Sequence, residues 1–248
     1  MIARVTRAVI ATVGVLVLAG CAGGGPAEPV PTPTHLDAAA IDVADSDRNG
    51  IEYLSGADAL RVSVRAVQQT TGVAMQTTFT QLVNPETAAA GGDLVATYAG
   101  VPDASTTRIT SGSMVVHIVV LDGQTFLQAD TATSVALGLT PGGYSCRASS
   151  DVILDEWRTL LDPALLLESL AGGAGLSSGP VAPGEPASVD IVIDSGEGTA
   201  GSLSIAANGH PLPSRLTVGD ALSVADVRFS AWGTAVKVSV PAPIAQAC

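Results

Sequence analysis

The sequence predicts an α+β fold, a curved antiparallel β-sheet with its helices gathered on one face. Three observations predict it. Segments with alternating apolar positions fall into two blocks separated by one helical stretch, and no strand–helix–strand alternation appears, so a Rossmann-type sheet is excluded on pattern. Asp122-Gly123 and Asn208-Gly209 are tight-turn signals of the kind that join neighbouring antiparallel strands. Of 248 residues, 47% are apolar and 14% charged, with 27 Gly and 15 Pro. Such a chain buries a core and turns often, and it is not disordered throughout.

The chain opens with an address. Arg4 and Arg7 precede residues 8–18, an eleven-residue run without charge. A spanning helix needs about 20 residues for a hydrocarbon core of about 30 Å, so this run is too short to cross. Residues 1–20 read as a secretory signal peptide. Leu18-Ala19-Gly20-Cys21 resembles a bacterial lipobox. Small Ala19 and Gly20 admit the chain to a peptidase, and the thiol of Cys21 is the expected lipidation site. An ordinary signal peptide with an incidental Cys, or a buried N-terminal helix, is the plainer reading. With Cys21 acylated, the acyl chains are the expected attachment to the membrane, at about 0.8 kcal/mol per buried CH2. Residues 21–50 read as a tether, because Gly and alternating Pro over 23–34 favour an extended chain. Thr32 and Thr34 beside Pro are candidate glycosylation positions. Asp45-Ser46-Asp47-Arg48-Asn49-Gly50 faintly resembles a calcium loop, but its twelfth position is Gly56 and not glutamate, so a solvated linker is expected.

Residues 51–248 are expected to form a single domain. Residues 55–70 carry Leu60, Val64 and Val67 on one helical face, with Ser55 or Asp58 as cap and Gly72 as terminator. Strands are expected at 74–83, with Met75 and Phe79 on one face, then at 93–98 and 107–111. The strongest signal is 114–129. Counting outward from Asp122-Gly123 pairs Ile118 with Leu127 and Val116 with Ala129. Met114, Val116, Ile118, Val120, Leu127 and Ala129 then share an apolar face. Residues 151–170 read as two helical pieces broken at Pro163, with Asp162 capping the second. Leu154, Trp157, Leu160 and Leu161 form one stripe; Leu165, Leu166 and Leu170 form another. Residues 172–186 read as a flexible loop. Strands resume at 187–194, 201–206, 212–218, 225–231 and 236–240.

Charge and chemistry narrow the function. Lys+Arg is 11 against 23 Asp+Glu. Removing the signal peptide leaves a net charge of −14, which repels phosphate backbones, so nucleic acid is not an expected partner. Two Trp, three Tyr and three Phe supply no base-stacking platform. The three His are isolated, no G-x-S-x-G elbow is present, and there is no HExxH or P-loop. No catalytic residue, metal or cofactor is expected. Export places Cys146 and Cys248 in an oxidising compartment, where they are the expected disulfide; two free thiols are the alternative.

Four features stand together: the lipobox at Cys21, the hairpin over 115–129, the helical LLDPALLLESLAG over 160–172, and the terminal DVRFSAWGTAVKVSVPAP over 226–243. With them the chain resembles the actinobacterial LppX/LprAFG lipoprotein family, whose fold is similar to that of the periplasmic carrier LolA. The resemblance implies a half-barrel whose concave face is closed by helices around an apolar cavity for acyl chains of lipids or lipoglycans. It implies a lipid or glycolipid ligand, carriage within the cell envelope on the outer face of the cell membrane, and an envelope exporter as a possible partner. The residues expected to line the cavity are Met75, Phe79, Met114, Val116, Ile118, Val120, Leu127, Leu154, Trp157, Leu161, Leu165 and Leu166. Arg158 or Arg215 near the mouth is a candidate for a headgroup, though each reads more simply as a solvated surface residue. The competing reading is a surface lipoprotein that carries nothing and docks another envelope protein.

Overall fold

The computed structural model describes residues 48–81, 92–172, 175–182, 186–194, 196, 199–220 and 223–248. The signal peptide, Cys21 and residues 22–47 of the tether lie outside the described residues. Tether residue Arg48 already belongs to the fold, bridging Asn208 at the Asn208-Gly209 turn. Asn49 donates its side-chain amide to the carbonyls of Ala206 and Gly209.

Twelve strands form one open sheet. β1 (Val73–Gln81), β2 (Asp93–Val101), β3 (Ala104–Ser111), β4 (Met114–Leu121), β5 (Gln124–Ala129) and β6 (Tyr144–Ala148) make the first meander. β7 (Gly175–Ala182), β8 (Ser188–Asp194), β9 (Thr199–Ala206), β10 (Pro213–Gly219) and β11 (Ser223–Ser230) make the second. The meanders join where β1 pairs antiparallel with β11, setting Met75 opposite Phe229. β12 (Ile244–Gln246) adds to β6 in parallel, so β12 and β7 are the edges of a curved, unclosed sheet. The α+β reading holds.

The central hairpin has the expected register, with Ile118 opposite Leu127 and Val116 opposite Ala129. Asp122 and Gly123 take φ of 52° and 75°. Both central positions of a type I′ turn need positive φ, which Asp tolerates and Gly adopts freely.

Helices cover one face. α1 (Gly56–Gln68) is capped by Ser55, whose hydroxyl accepts from the Asp58 amide. It buries Ala59, Leu60, Ser63, Val64 and Val67. Each such Leu or Val contributes about 1.5–3 kcal/mol on full burial. α2 (Thr131–Ala136), which the sequence reading missed, follows β5 and is capped by Asp130. A 3-10 helix at Val152–Trp157 leads into α3 (Arg158–Leu161) and α4 (Pro163–Ser169). Asp162 is extended (φ −142°, ψ 106°), as the residue before proline prefers, and its carboxylate accepts from the Ala164 and Leu165 amides.

Three expectations are corrected. Gly72 does not terminate α1, which ends at Gln68 with Gln69 as a right-handed C-cap. Gly72 is instead required by the close approach of the Thr234 backbone, which a Cβ would strike. Within the expected loop 172–186, Gly175–Ala182 is the edge strand β7. An edge pairs on one side only, and a register shift between Ser178 and Val181 absorbs Gly179 and Pro180. Residues 236–240 are not a strand. Both flanks of β11 are taken, by β1 and β10, so no position beside it remains. The tail crosses the other face of the sheet, where Val238 packs on Val119, Phe126 and Cys146. The expected disulfide Cys146–Cys248 is formed, with Cα atoms 4.8 Å apart.

Candidate functional site

The helix-covered, concave face carries two apolar clusters side by side. The first joins Met75, Tyr98, Val227 and Phe229 to α1 and to Ala164 and Leu167 of α4. The second joins Ala96, Ile109, Val116, Ile118 and Leu127 to Leu154, Trp157 and Leu160. Strand alternation delivers these residues to one face, and the break at Asp162 lets the helical cover bend from one cluster to the other.

The structure distributes the expected lining residues as follows. Met75, Val116, Ile118, Leu127, Leu154 and Trp157 are buried in the clusters. Met114, Val120 and Leu161 pack against the second cluster and Leu166 against the first. Phe79 is half-buried opposite Leu94 and Ala225. Leu165 is 41% exposed, whereas Leu167, not singled out from sequence, is fully buried. The interruption at Pro163 resets the helical phase, so α4 turns Ala164 and Leu167 inward.

Along the seam between the clusters runs a row of hydroxyls. Thr77, Tyr98, Ser105 and Thr107 are buried on β1, β2 and β3, and none of their hydroxyl oxygens has a hydrogen-bond partner. Thr107 lies directly opposite Tyr98. Burial, with Asp162 and Asp103 nearby, pushes the Tyr98 phenol well above its ordinary value; Ser105 opposes the rise without closing a hydrogen bond. The phenol is therefore neutral at any physiological pH. Alternating Ser105, Thr107 and Ile109 was the available sequence signal for this row.

A cavity of about 430 Å³ opens at the edge of the second cluster. Leu137, Ile153 and Trp157 supply its apolar lining, and Arg147, Asp151 and Glu156 its charged lining. Arg147 is fixed by a 3.7 Å ion pair to Asp151 and by donating to the Gly138 carbonyl. Val152, which also lines it, is 78% exposed. The arrangement is amphiphilic, with hydrocarbon leading into the core beside a ring of charge.

The expected headgroup arginines are otherwise engaged. Arg158 pairs with Asp155 on the same helical turn, and Arg215 pairs with Asp226 on the opposite, convex face. His117 is also convex, and His210 is exposed beside its turn. Neither hydrogen-bonds a carboxylate among the described residues. Among the described residues no group of three or more His, Cys, Asp or Glu is placed to hold a metal ion, and no helix is long and apolar enough to cross a membrane.

No family model matches the chain, and no curated protein matches it in sequence. Solved structures to which it is similar include LprF from Mycobacterium bovis, at 13% identity and a TM-score of 0.43, covering 76% of this chain and 97% of that one. The Mycobacterium tuberculosis lipoprotein LppX matches at 15% identity and a TM-score of 0.41, covering 74% and 97%. LprF and LppX carry the names of the family that the sequence resembles. A LolA superfamily protein from Nitrosomonas europaea matches at 9% identity and a TM-score of 0.34, covering 75% and 96%.

Proposed function

We propose that this protein is a lipid-binding lipoprotein, anchored through Cys21 to the outer face of the cell membrane, that carries acylated lipids or glycolipids within the envelope. The observation that carries the reading is the amphiphilic cavity beside Trp157, whose apolar lining is continuous with the buried cluster under the helices. Hydrocarbon entering there gains about 25 cal/mol for each Å² of apolar surface removed from water. The Arg147–Asp151 pair and Glu156 stay at the rim, where a polar headgroup remains hydrated. The reading assigns binding and release to the protein and no bond-making step.

The test is lipid extraction from protein purified out of native membranes, followed by mass spectrometry. Acylated lipid in stoichiometric amount is the expected result. Val152→Asp places a charge at the exposed lip without touching the core, and is expected to lower recovered lipid several-fold at unchanged thermal stability. Protein that is empty of lipid but cross-links to one envelope protein in intact cells would overturn the carrier reading in favour of a docking module.

A further inference from the structure

The convex face of the sheet carries a polar row that the lipid reading does not use. Register places Arg215 opposite Arg228, Arg228 opposite Gln76, and Gln76 opposite Thr97. The row continues with Thr97 opposite Arg108, Arg108 opposite His117, and His117 opposite Gln128. One transverse line across β10, β11, β1, β2, β3, β4 and β5 therefore bears three arginines and a histidine.

The two ends of this row differ in charge balance. Arg215 and Arg228 share the carboxylate of Asp226. Arg108 has no carboxylate partner among the described residues. On this row Arg108 is the arginine whose charge no neighbouring carboxylate offsets. It borders a cavity of about 260 Å³ on this face, lined also by Thr97, Thr106, His117 and Tyr144. The residues around this concavity carry a guanidinium, an imidazole and three hydroxyls on the convex side of the sheet. Val119 lines it too, and is itself buried against Phe126, so one wall is apolar.

We propose that this convex-face cavity is a binding site for a phosphate-type oxyanion. Arg108 offers a planar fork of N–H donors that matches such an anion bidentately. His117 supplies a second donor when protonated. Thr97, Thr106 and Tyr144 supply neutral donors around it. Burial and the adjacent Arg108 hold the imidazole below its ordinary pKa. The only charged side chain facing it in the row is Arg108; Thr97, Gln128 and Tyr144 are its uncharged neighbours. An anion seated between the two would reverse the Arg108 contribution and raise the pKa. The same chemistry is presented by inorganic phosphate and by a phospholipid headgroup.

The experiment follows the imidazole resonances of the mature full chain by NMR during titration with inorganic phosphate at fixed ionic strength, with chloride as control. The expected result is a saturable shift of His117 and a rise in its pKa, while His35 and His210 follow the chloride control. Arg108→Gln is expected to weaken phosphate more than tenfold without changing the thermal midpoint. A His117 response equal in phosphate and chloride, or equal in wild type and R108Q, overturns the site. Vesicles of phosphatidylglycerol, compared with phosphatidylcholine, separate the sources. Displacement of phosphate by the anionic vesicles alone identifies a lipid headgroup as the occupant, and no displacement identifies a free phosphate-bearing solute; either result requires the site to exist.

Discussion

Tyr98 concentrates the unusual chemistry of the concave face in one side chain. Its hydroxyl is buried, unpaired and held neutral, beside the equally unpaired Thr107. A buried hydroxyl without a partner costs about 1–3 kcal/mol, so removing it relieves a penalty instead of breaking a bond. Tyr98→Phe is therefore expected to leave stability within about 0.5 kcal/mol or to raise it. Chemical denaturation checks this, and a loss above about 1 kcal/mol would show that the hydroxyl has a partner in solution. Asp130 carries the opposite kind of contact. The Thr133 hydroxyl and then its backbone N–H bind its carboxylate at the head of α2, holding its pKa below the ordinary value. The unfolded chain thus takes up a proton at higher pH than the folded one. The stabilisation is complete above about pH 4 and vanishes as pH falls through the depressed folded value. Asp130→Asn still caps but does not titrate. Its thermal midpoint is expected to fall less steeply with acid than that of the wild type, and parallel slopes would remove the linkage.

Elements show where local sequence signals suffice and where they do not. The hairpin of β4 and β5 was legible to the residue because turn chemistry and alternation agree there, whereas for α1 the apolar face was legible and the cap stayed open between Ser55 and Asp58 until the structure placed it at Ser55. The edge strand β7 was not legible, since its Gly and Pro carry loop propensity and only the vacant flank of β8 makes them a strand. Residues 236–240 erred in the other direction, with strand composition but no free flank to join. At the candidate site, the positions under the helices were legible as an apolar face. The hydroxyl row and the change of phase at Pro163 were not, because both depend on which side of an element meets which neighbour. Gly56 tests this dependence on context. In a first helical turn, Gly→Ala normally gains up to about 1 kcal/mol. Here a Cβ would lie 2.5 Å from the Leu176 carbonyl carbon and 2.7 Å from the Ser177 nitrogen, both backbone atoms of β7. Overpacking of that kind costs about 1–3 kcal/mol, so Gly56→Ala is expected to destabilise despite its better propensity. A stabilised variant would mean that α1 slides freely on the edge strand.

For the whole molecule, the sheet separates two chemistries, hydrocarbon under the helices and a polar row on the convex side. The convex side keeps a small apolar patch of its own, Val119, Phe126 and Cys146, covered by Tyr144 and by Val238 of the C-terminal tail. That tail has few holds: three residues of parallel pairing to β6, the Tyr144 amide donating to the Pro243 carbonyl at 2.8 Å, and the Cys146–Cys248 bridge. The bridge spans 102 positions of sequence. Closing a loop of about 100 residues restricts the unfolded chain by up to about 4.7 kcal/mol in the chain-entropy description. That restriction acts on the unfolded chain; in the folded state the bridge adds a covalent hold to a parallel edge of only three residues. Cys248→Ser is expected to lower unfolding free energy by about 2–5 kcal/mol and to raise hydrogen exchange in β6 and β12 before the rest of the sheet. Reductant is expected to reproduce the loss in the wild type and to leave the variant unchanged. Equal stability of oxidised wild type and variant would mean that the apolar contact of Val238 holds the tail by itself.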